Sequence, residues 1–191
     1  MRRAALRRSE LRAVELLCEQ EMTSIFDLAH PTLTRFRLPV TVCFESFGNF
    51  CRKTGADRAA FFRHSGADGV TVRHSGTYLV LYDEQVESER RRAFTLAHEI
   101  GHILLAHEGG ADRAAEEKEA NAFAASLLAP EVAVRYLSHR DGCLVDEALL
   151  TGAFFLSREA AENRIAALAR SRRHRPAACE ITLLLQLFGK I

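Results

Sequence analysis

Phe94-Thr95-Leu96-Ala97-His98-Glu99-Ile100-Gly101-His102-Ile103-Leu104-Leu105-Ala106 is the stretch from which the rest of the chain can be read. It carries H-E-x-x-H inside an apolar run, with Phe94, Ala97, Ile100, Leu104 and Leu105 at the spacing of one buried helical face. On a helix, residues four apart differ by about 40° in direction and about 6 Å in height, so His98 and His102 face the same side. Two neutral imidazoles so placed can share one Zn²⁺, and Glu99 beside them is in reach of water activated by the metal. Three fixed letters occur by chance on ordinary helices. Here, however, two histidines and a glutamate stand in a segment built for burial, where they are costly unless something satisfies them. A metal ion does so.

Zinc at a hydrolytic centre takes three protein ligands and keeps a fourth position open. The extended pattern H-E-x-x-H-x-x-G-x-x-H does not supply the third, because Leu105 stands at the glycine and Glu108 at the last histidine. A helix continuing through 105 carries Glu108 about 9 Å along the axis from His102, out of reach. Gly109-Gly110 then ends the helix. The ligand is therefore expected from the next helix, Glu116-Glu117-Lys118-Glu119-Ala120-Asn121-Ala122-Phe123-Ala124, which runs on to Pro130. Two antiparallel helices with a short loop bring its first turns beneath the metal. Glu119 is the better candidate, since Ala120, Ala122 and Ala124 allow close helix approach, and Glu116 is its rival. Glu116 and Glu117 are also well explained as acids favoured at a helix N-terminus.

Arg92-Ala93-Phe94-Thr95-Leu96-Ala97-His98-Glu99-x-Gly101-His102, followed by Glu119-Ala120-Asn121-x-Phe123-Ala124-x-x-Leu127-Leu128-Ala129-Pro130, resembles the ImmA/IrrE family of bacterial zinc metallopeptidases. The resemblance is clearest over residues 76 to 130 and weaker to about residue 170. It departs from the family pattern R-F-T-x-A-H-E-x-G-H by the inserted Ala93. It implies one Zn²⁺ per chain held by His98, His102 and Glu119, with Glu99 as the catalytic base. In such proteins the peptidase typically cleaves a helix-turn-helix repressor and releases the genes it controls. A second group stabilising the oxyanion is expected, and His107, Tyr82, Arg92, Tyr136 and His139 have suitable chemistry. For His107 a favourable contact with the helix C-terminal dipole is the stronger expectation.

Composition sets the outer bounds. A chain of 191 residues allows one domain, or a compact domain with a small appendage. Its 48% hydrophobic and 27% charged residues are ordinary for a soluble globular protein. A net charge of +1 gives no overall argument for nucleic acid or a membrane surface. Arg2, Arg3, Arg7, Arg8 and Arg12, and again Arg170, Arg172, Arg173 and Arg175, form basic clusters that read first as solvated faces. Glu10, Arg12 and Glu15 interrupt any signal-peptide core, and no run of about 20 apolar residues is present. The five cysteines, Cys18, Cys43, Cys51, Cys143 and Cys179, form no C-x-x-C and read as reduced, mostly buried thiols of a cytoplasmic protein.

The expected fold is α+β: a mainly helical, zincin-like core with a small, largely antiparallel three-stranded sheet. Residues 9 to 29 read as one amphipathic helix and Phe44 to Cys51 as a short second one, ended by Gly55. The strands are expected at Ala60-Phe61-Phe62, Val70-Thr71-Val72-Arg73 and Thr77-Tyr78-Leu79-Val80-Leu81-Tyr82, the last two joined by His74-Ser75-Gly76. An edge of such a sheet beside the active helix can take an extended substrate by strand addition. Residues 1–138 are expected to form the peptidase core. Residues 139–191 are expected to form a helical, helix-turn-helix-like segment packed on it, with Ser157 capping a helix that carries Ala161, Ile165 and Leu168 on one stripe. The apolar tail Ile181 to Phe188 needs burial, as a strand or in an interface.

The leading functional expectation is therefore a zinc-dependent endopeptidase with a protein substrate, a helix-turn-helix repressor. One alternative keeps the fold and not the reaction, as a protein that binds and neutralises a repressor. The other is a DNA-binding regulator using residues 145 to 175, with Arg158 and Arg164 as its contacts. The intact Glu99 argues for catalysis, because a purely structural metal site needs no base there.

Overall fold

The computed structural model describes residues 2–20, 22–57, 59, 68–109, 112–171 and 175–189. Helix α1 spans Arg2–Glu19 and α2 spans Ile25–Ala29. The single helix expected over 9–29 is thus two. The Asp27 carboxylate accepts the N–H groups of Thr23 and Ser24 at 2.9 and 3.0 Å, which starts a new helix at Ser24 rather than continuing the first. A 3₁₀ turn at Leu33–Arg35 leads into strand β1, Val42–Ser46, and helix α3, Phe47–Thr54. The helix expected from Phe44 begins later, because Ser46 ends the strand and accepts the Asn49 N–H as N-cap. Gly55 closes α3 in the left-handed region, at φ 72°.

Strands β2, Gly69–His74, and β3, Thr77–Tyr82, form a hairpin. Its two-residue turn places Ser75 and Gly76 at φ 48° and 81°, the positive pair that a tight hairpin turn with the native strand twist requires. The sheet order is β1-β3-β2, with β1 parallel to β3 and β2 antiparallel to it. The sheet is therefore mixed rather than largely antiparallel, and its first strand comes from residues 42–46. The strand expected at residues 60–62 lies outside the described residues. Val80 and Leu81 of central β3 point to opposite faces and both are fully buried. Both faces are covered, and β3 packs against α3 and against helix α4, Glu89–Leu104.

Helix α4 carries the H-E-x-x-H segment. Ser88 caps it by accepting the Arg91 N–H, and Arg90 ties its first turn to the carbonyls of Thr151 and Leu156 at 2.9 and 2.8 Å. Ala93, Ala97 and Ile100 form its buried stripe. Helix α5, Arg113–Leu128, packs along α4 on one side and α1 on the other, so its second half is buried nearly all round. Closest approach comes at Gly101, where a Cβ would stand 3.3 Å from Ala120 Cα and 3.1 Å from Phe123 Cδ1. Even a methyl group there is tight, and its neighbours must give by a few tenths of an ångström.

After Pro130 come α6 (Glu131–Asp141), α7 (Glu147–Ala153), α8 (Arg158–Arg170) and α9 (Ala178–Phe188). Ser157 caps α8 by accepting the Ala160 N–H. The apolar tail is helix α9, which buries Leu183 and Leu187 and packs on α1, leaving Ile181 and Leu185 half-exposed. One cluster of buried side chains runs from Ala13 and Leu17 in α1, through Ala97 and Phe123, to Leu168 and Leu187. Arg164, a DNA contact only on the alternative DNA-binding reading, is 2% exposed, bonded to the Ala129 carbonyl at 3.0 Å and to Glu10. It braces helices. Exposed Arg158 pairs with Glu147 and Glu162. None of the five cysteines, expected to be mostly buried, is so: Cys43 and Cys143 are exposed and the others intermediate. No helix among the described residues is long and apolar enough to cross a membrane.

Candidate metal centre

His98 and His102, one turn apart on α4, bring their Nε2 atoms to 2.9 Å from each other. The carboxylate that meets them is Glu117 of α5, with Oε2 3.3 Å from His98 Nε2 and Oε1 3.9 Å from His102 Nε2. These three residues are the group of potential metal ligands found among the described residues, one donor atom from each lying within 4.8 Å of the others. Where the sequence pointed to Glu119, the structure thus brings Glu117. On an α-helix two residues are about 200° apart, so when Glu117 faces α4 its neighbour at 119 turns away. Glu119 Oε2 lies 3.7 Å from His107 Nε2 instead. Glu116, the rival, accepts the N–H groups of Glu108 and Gly109 at 3.3 and 3.2 Å and pins the loop between the two helices.

The rings are oriented from behind. His98 Nδ1 is 3.1 Å from Asn121 Oδ1, an acceptor, a contact that favours the tautomer with its proton on Nδ1 and a lone pair on Nε2. His102 Nδ1 is 2.9 Å from His107 Nδ1. Both rings then direct Nε2 at the same point, with a carboxylate completing the set. At 2.9 Å the two Nε2 atoms can share one proton or turn both lone pairs on one cation, with a carboxylate beside them. Two imidazoles and one carboxylate are a donor set that suits zinc. With bonds of about 2.0 to 2.1 Å, a tetrahedral site needs the two nitrogens about 3.3 Å apart, a few tenths of an ångström beyond their present separation. The residues fit a metal ion.

Electrostatics follow burial. His102 is pushed down to about 4, first by desolvation and then by neighbouring His98, so it stays neutral and available as a ligand near pH 7. Glu99 is 8% exposed, and burial raises its proton affinity above that of an ordinary carboxylate. Thr71 on β2 opposes this rise by donating its hydroxyl to Glu99 Oε2 at 2.6 Å. Glu99 therefore combines the character of a general base with a fixed orientation.

These groups open into a cavity of about 560 Å³ between α4 and β2, lined also by Arg73, Tyr78 and Arg113. Of the five residues considered for an oxyanion contact, His107 lines it. Arg92 is bound to the Val86 and Glu87 carbonyls, and Tyr136 packs against the Phe188 ring. Thr71, Asn121 and Glu117 are the residues that sequence reasoning passed over. A helical projection puts Glu117 and Asn121 on one stripe of α5 with Ala120 and Ala124, but does not say which stripe faces α4.

A helix-borne histidine pair, a carboxylate from the neighbouring helix and a buried glutamate beside a sheet edge define a metallopeptidase-type centre. Residues 37–166 match the peptidase M78 family, the IrrE N-terminal-like domain. The match covers more than half of the chain and includes every residue of the centre, and the chain belongs to that family. A comparison with curated proteins found no match.

Proposed function

We propose that this chain is a zinc-dependent endopeptidase, with His98, His102 and Glu117 holding the metal and Glu99 acting as base. The observation that carries the reading is the buried Glu99, bonded to Thr71 and adjoining two imidazoles whose free nitrogens converge with Glu117. A metal ion held there supplies Lewis acidity to the attacking water and to the scissile carbonyl alike. Glu99 takes the proton from the water and returns it to the departing amine. Thr71 fixes one of its carboxylate oxygens and leaves the other for that exchange. The outer edge of β2 has no strand beside it among the described residues, and its Gly69, Val70, Thr71 and Arg73 line the cavity. An extended peptide is expected to pair there, which places its backbone across the metal centre. Tyr78, Arg73 and Arg113 line the same cavity and are among the polar groups at hand for the developing oxyanion.

The substrate we propose is a helix-turn-helix transcriptional repressor encoded beside this protein, in the cytoplasm, with cleavage releasing its target genes. The test is to incubate that repressor with the zinc-loaded protein and with Glu99→Gln. Cleavage by the parent and its loss in a variant that still binds one zinc supports the reading. Repressor inactivation that persists in Glu99→Gln without cleavage points to binding alone.

A further inference from the structure

The termination of α4 leaves a side chain with no part in the reaction proposed above. His107 follows the helix by three residues, yet its ring lies against that of ligand His102, with centroids 4.9 Å apart at 75°. The backbone brings it there. The His107 N–H bonds the His102 carbonyl at 3.0 Å and the Ala106 N–H bonds the Ile103 carbonyl at 3.2 Å. These bonds wrap the chain back on the last helical turn. Ala106 sits at φ 54°, a left-handed conformation that L-residues other than glycine rarely adopt. The side chain of His107 is only 7% exposed, and its Nε2 is a fully buried atom with no hydrogen-bond partner within range. Its nearest carboxylate is Glu119 Oε2, at 3.7 Å.

We propose that His107 and Glu119 form a positioning relay behind His102, which sets that ligand's tautomer and aim. The assignment rests on the zinc site proposed above. His102 can offer Nε2 to a metal only if its proton is on Nδ1, and the acceptor facing that proton is His107 Nδ1, at 2.9 Å. His107 then carries its own proton on Nε2, pointing towards Glu119. The opposite arrangement puts a proton on His102 Nε2, in the ligand cluster, and turns a bare His107 nitrogen towards a carboxylate. The carboxylate side of the relay therefore selects the metal-ready tautomer. His107 is not itself a ligand, because it meets the side of the His102 ring away from His98 and Glu117. Outer partners of this kind are worth about 10- to 100-fold in metal affinity or activity.

The experiment is zinc affinity, measured by competition with a chromophoric chelator on the full chain, together with the visible spectrum of the Co²⁺-substituted protein. His107→Phe is expected to weaken zinc binding by about 10- to 100-fold and to shift the cobalt bands. His107→Asn, whose Oδ1 replaces Nδ1 as acceptor, is expected to recover most of the affinity and the parental spectrum. Glu119→Gln is expected to cost less than His107→Phe, and nothing further when combined with it. Parental affinity and spectrum in a folded His107→Phe overturn the relay. So does loss of stoichiometric zinc in Glu119→Gln, which makes Glu119 a ligand. Should His107→Phe fail to fold, Glu119→Leu, in which His107 Nε2 loses its acceptor, still decides, because parental affinity and spectrum there overturn the relay. Failure of the underlying site looks different: the parent takes up no zinc, or Glu117→Gln keeps it.

Discussion

Asn121 Oδ1 stands 3.1 Å from His98 Nδ1, on the far side of the ring from the nitrogen that meets Glu117. Both contacts come from one stripe of α5, so a single helix supplies the carboxylate and orients the imidazole beside it. Asn121→Ala is expected to weaken zinc binding by about tenfold or more. Asn121→Asp, a stronger acceptor for the same proton, is expected to hold it at or above the parental level. Chelator competition on the three proteins checks this, and equal affinities would remove Asn121 from the centre.

Thr71 donates to Glu99 Oε2, and among the influences on that carboxyl its hydrogen bond is the largest that favours the charged form. In Thr71→Val the proton affinity of Glu99 therefore rises. The acid limb of cleavage moves to higher pH, and the rate falls by about tenfold, in line with a hydrogen bond to a charged group. Zinc content is unchanged. Carboxyl NMR of Glu99 in the two metal-free proteins gives the direct reading. A titration curve that does not move upward rules the coupling out.

Metal-free protein carries opposing pH signatures. The His102 value of about 4 lies below the ordinary 6.5, so the unfolded chain takes up that proton first. Stability from this group is complete above about 6.5 and is lost as pH falls towards 4. Glu99 has the reverse sign: its raised proton affinity favours folding below the ordinary 4.5, and that contribution disappears as pH rises through its shifted value. Glu99→Gln is accordingly expected to melt higher than the parent at neutral pH, with the gap closing in acid. Melting curves across a pH series test the sign. A gap that widens in acid contradicts it.

Gly101 meets Ala120 and Phe123 closely enough that a Cβ would stand 3.1 to 3.3 Å from them. Gly101→Val is expected to cost about 1 to 3 kcal/mol through overpacking, and to lower zinc affinity as α5 carries Glu117 away from α4. Denaturant melts of the metal-free protein separate the first effect from the second. Full zinc affinity in a destabilised Gly101→Val would mean that the helix spacing does not set the site.

Ala106 holds a conformation that glycine adopts without strain. Ala106→Gly is expected to raise stability by about 0.5 kcal/mol, the relief of strain being partly offset by a more flexible unfolded chain. A loss of stability in the same melts would show that the alanine methyl contributes more than its strained backbone costs.

The helix bearing His98, Glu99 and His102 was legible because its information is local: spacing fixes which side chains share a face, and the apolar stripe fixes which face is buried. The third carboxylate was not. Three acids stand within four residues at 116, 117 and 119, and the rotation of α5 about its axis decides among them. That rotation depends on Gly101 meeting Ala120, a tertiary contact. The hairpin at Ser75-Gly76 was equally plain, since its turn chemistry is written in two residues. Strand β1 was merged with the helix that follows it, because a five-residue strand running straight into an N-cap offers too few alternations to stand apart. His107 looked like an ordinary end-of-helix histidine until the left-handed residue before it was seen to reverse its direction.

The outer edge of β2, which has no strand beside it among the described residues, has a bearing on which proteins come to harm. Pairing through peptide groups is nearly indifferent to side-chain identity, so such an edge admits whatever can lie straight. A compact protein keeps those peptide groups engaged in its own structure and is passed over. A repressor with a segment that frays easily is not. On the proposed reading, part of the choice between victim and bystander belongs to the victim, in how readily a short stretch of its chain comes undone.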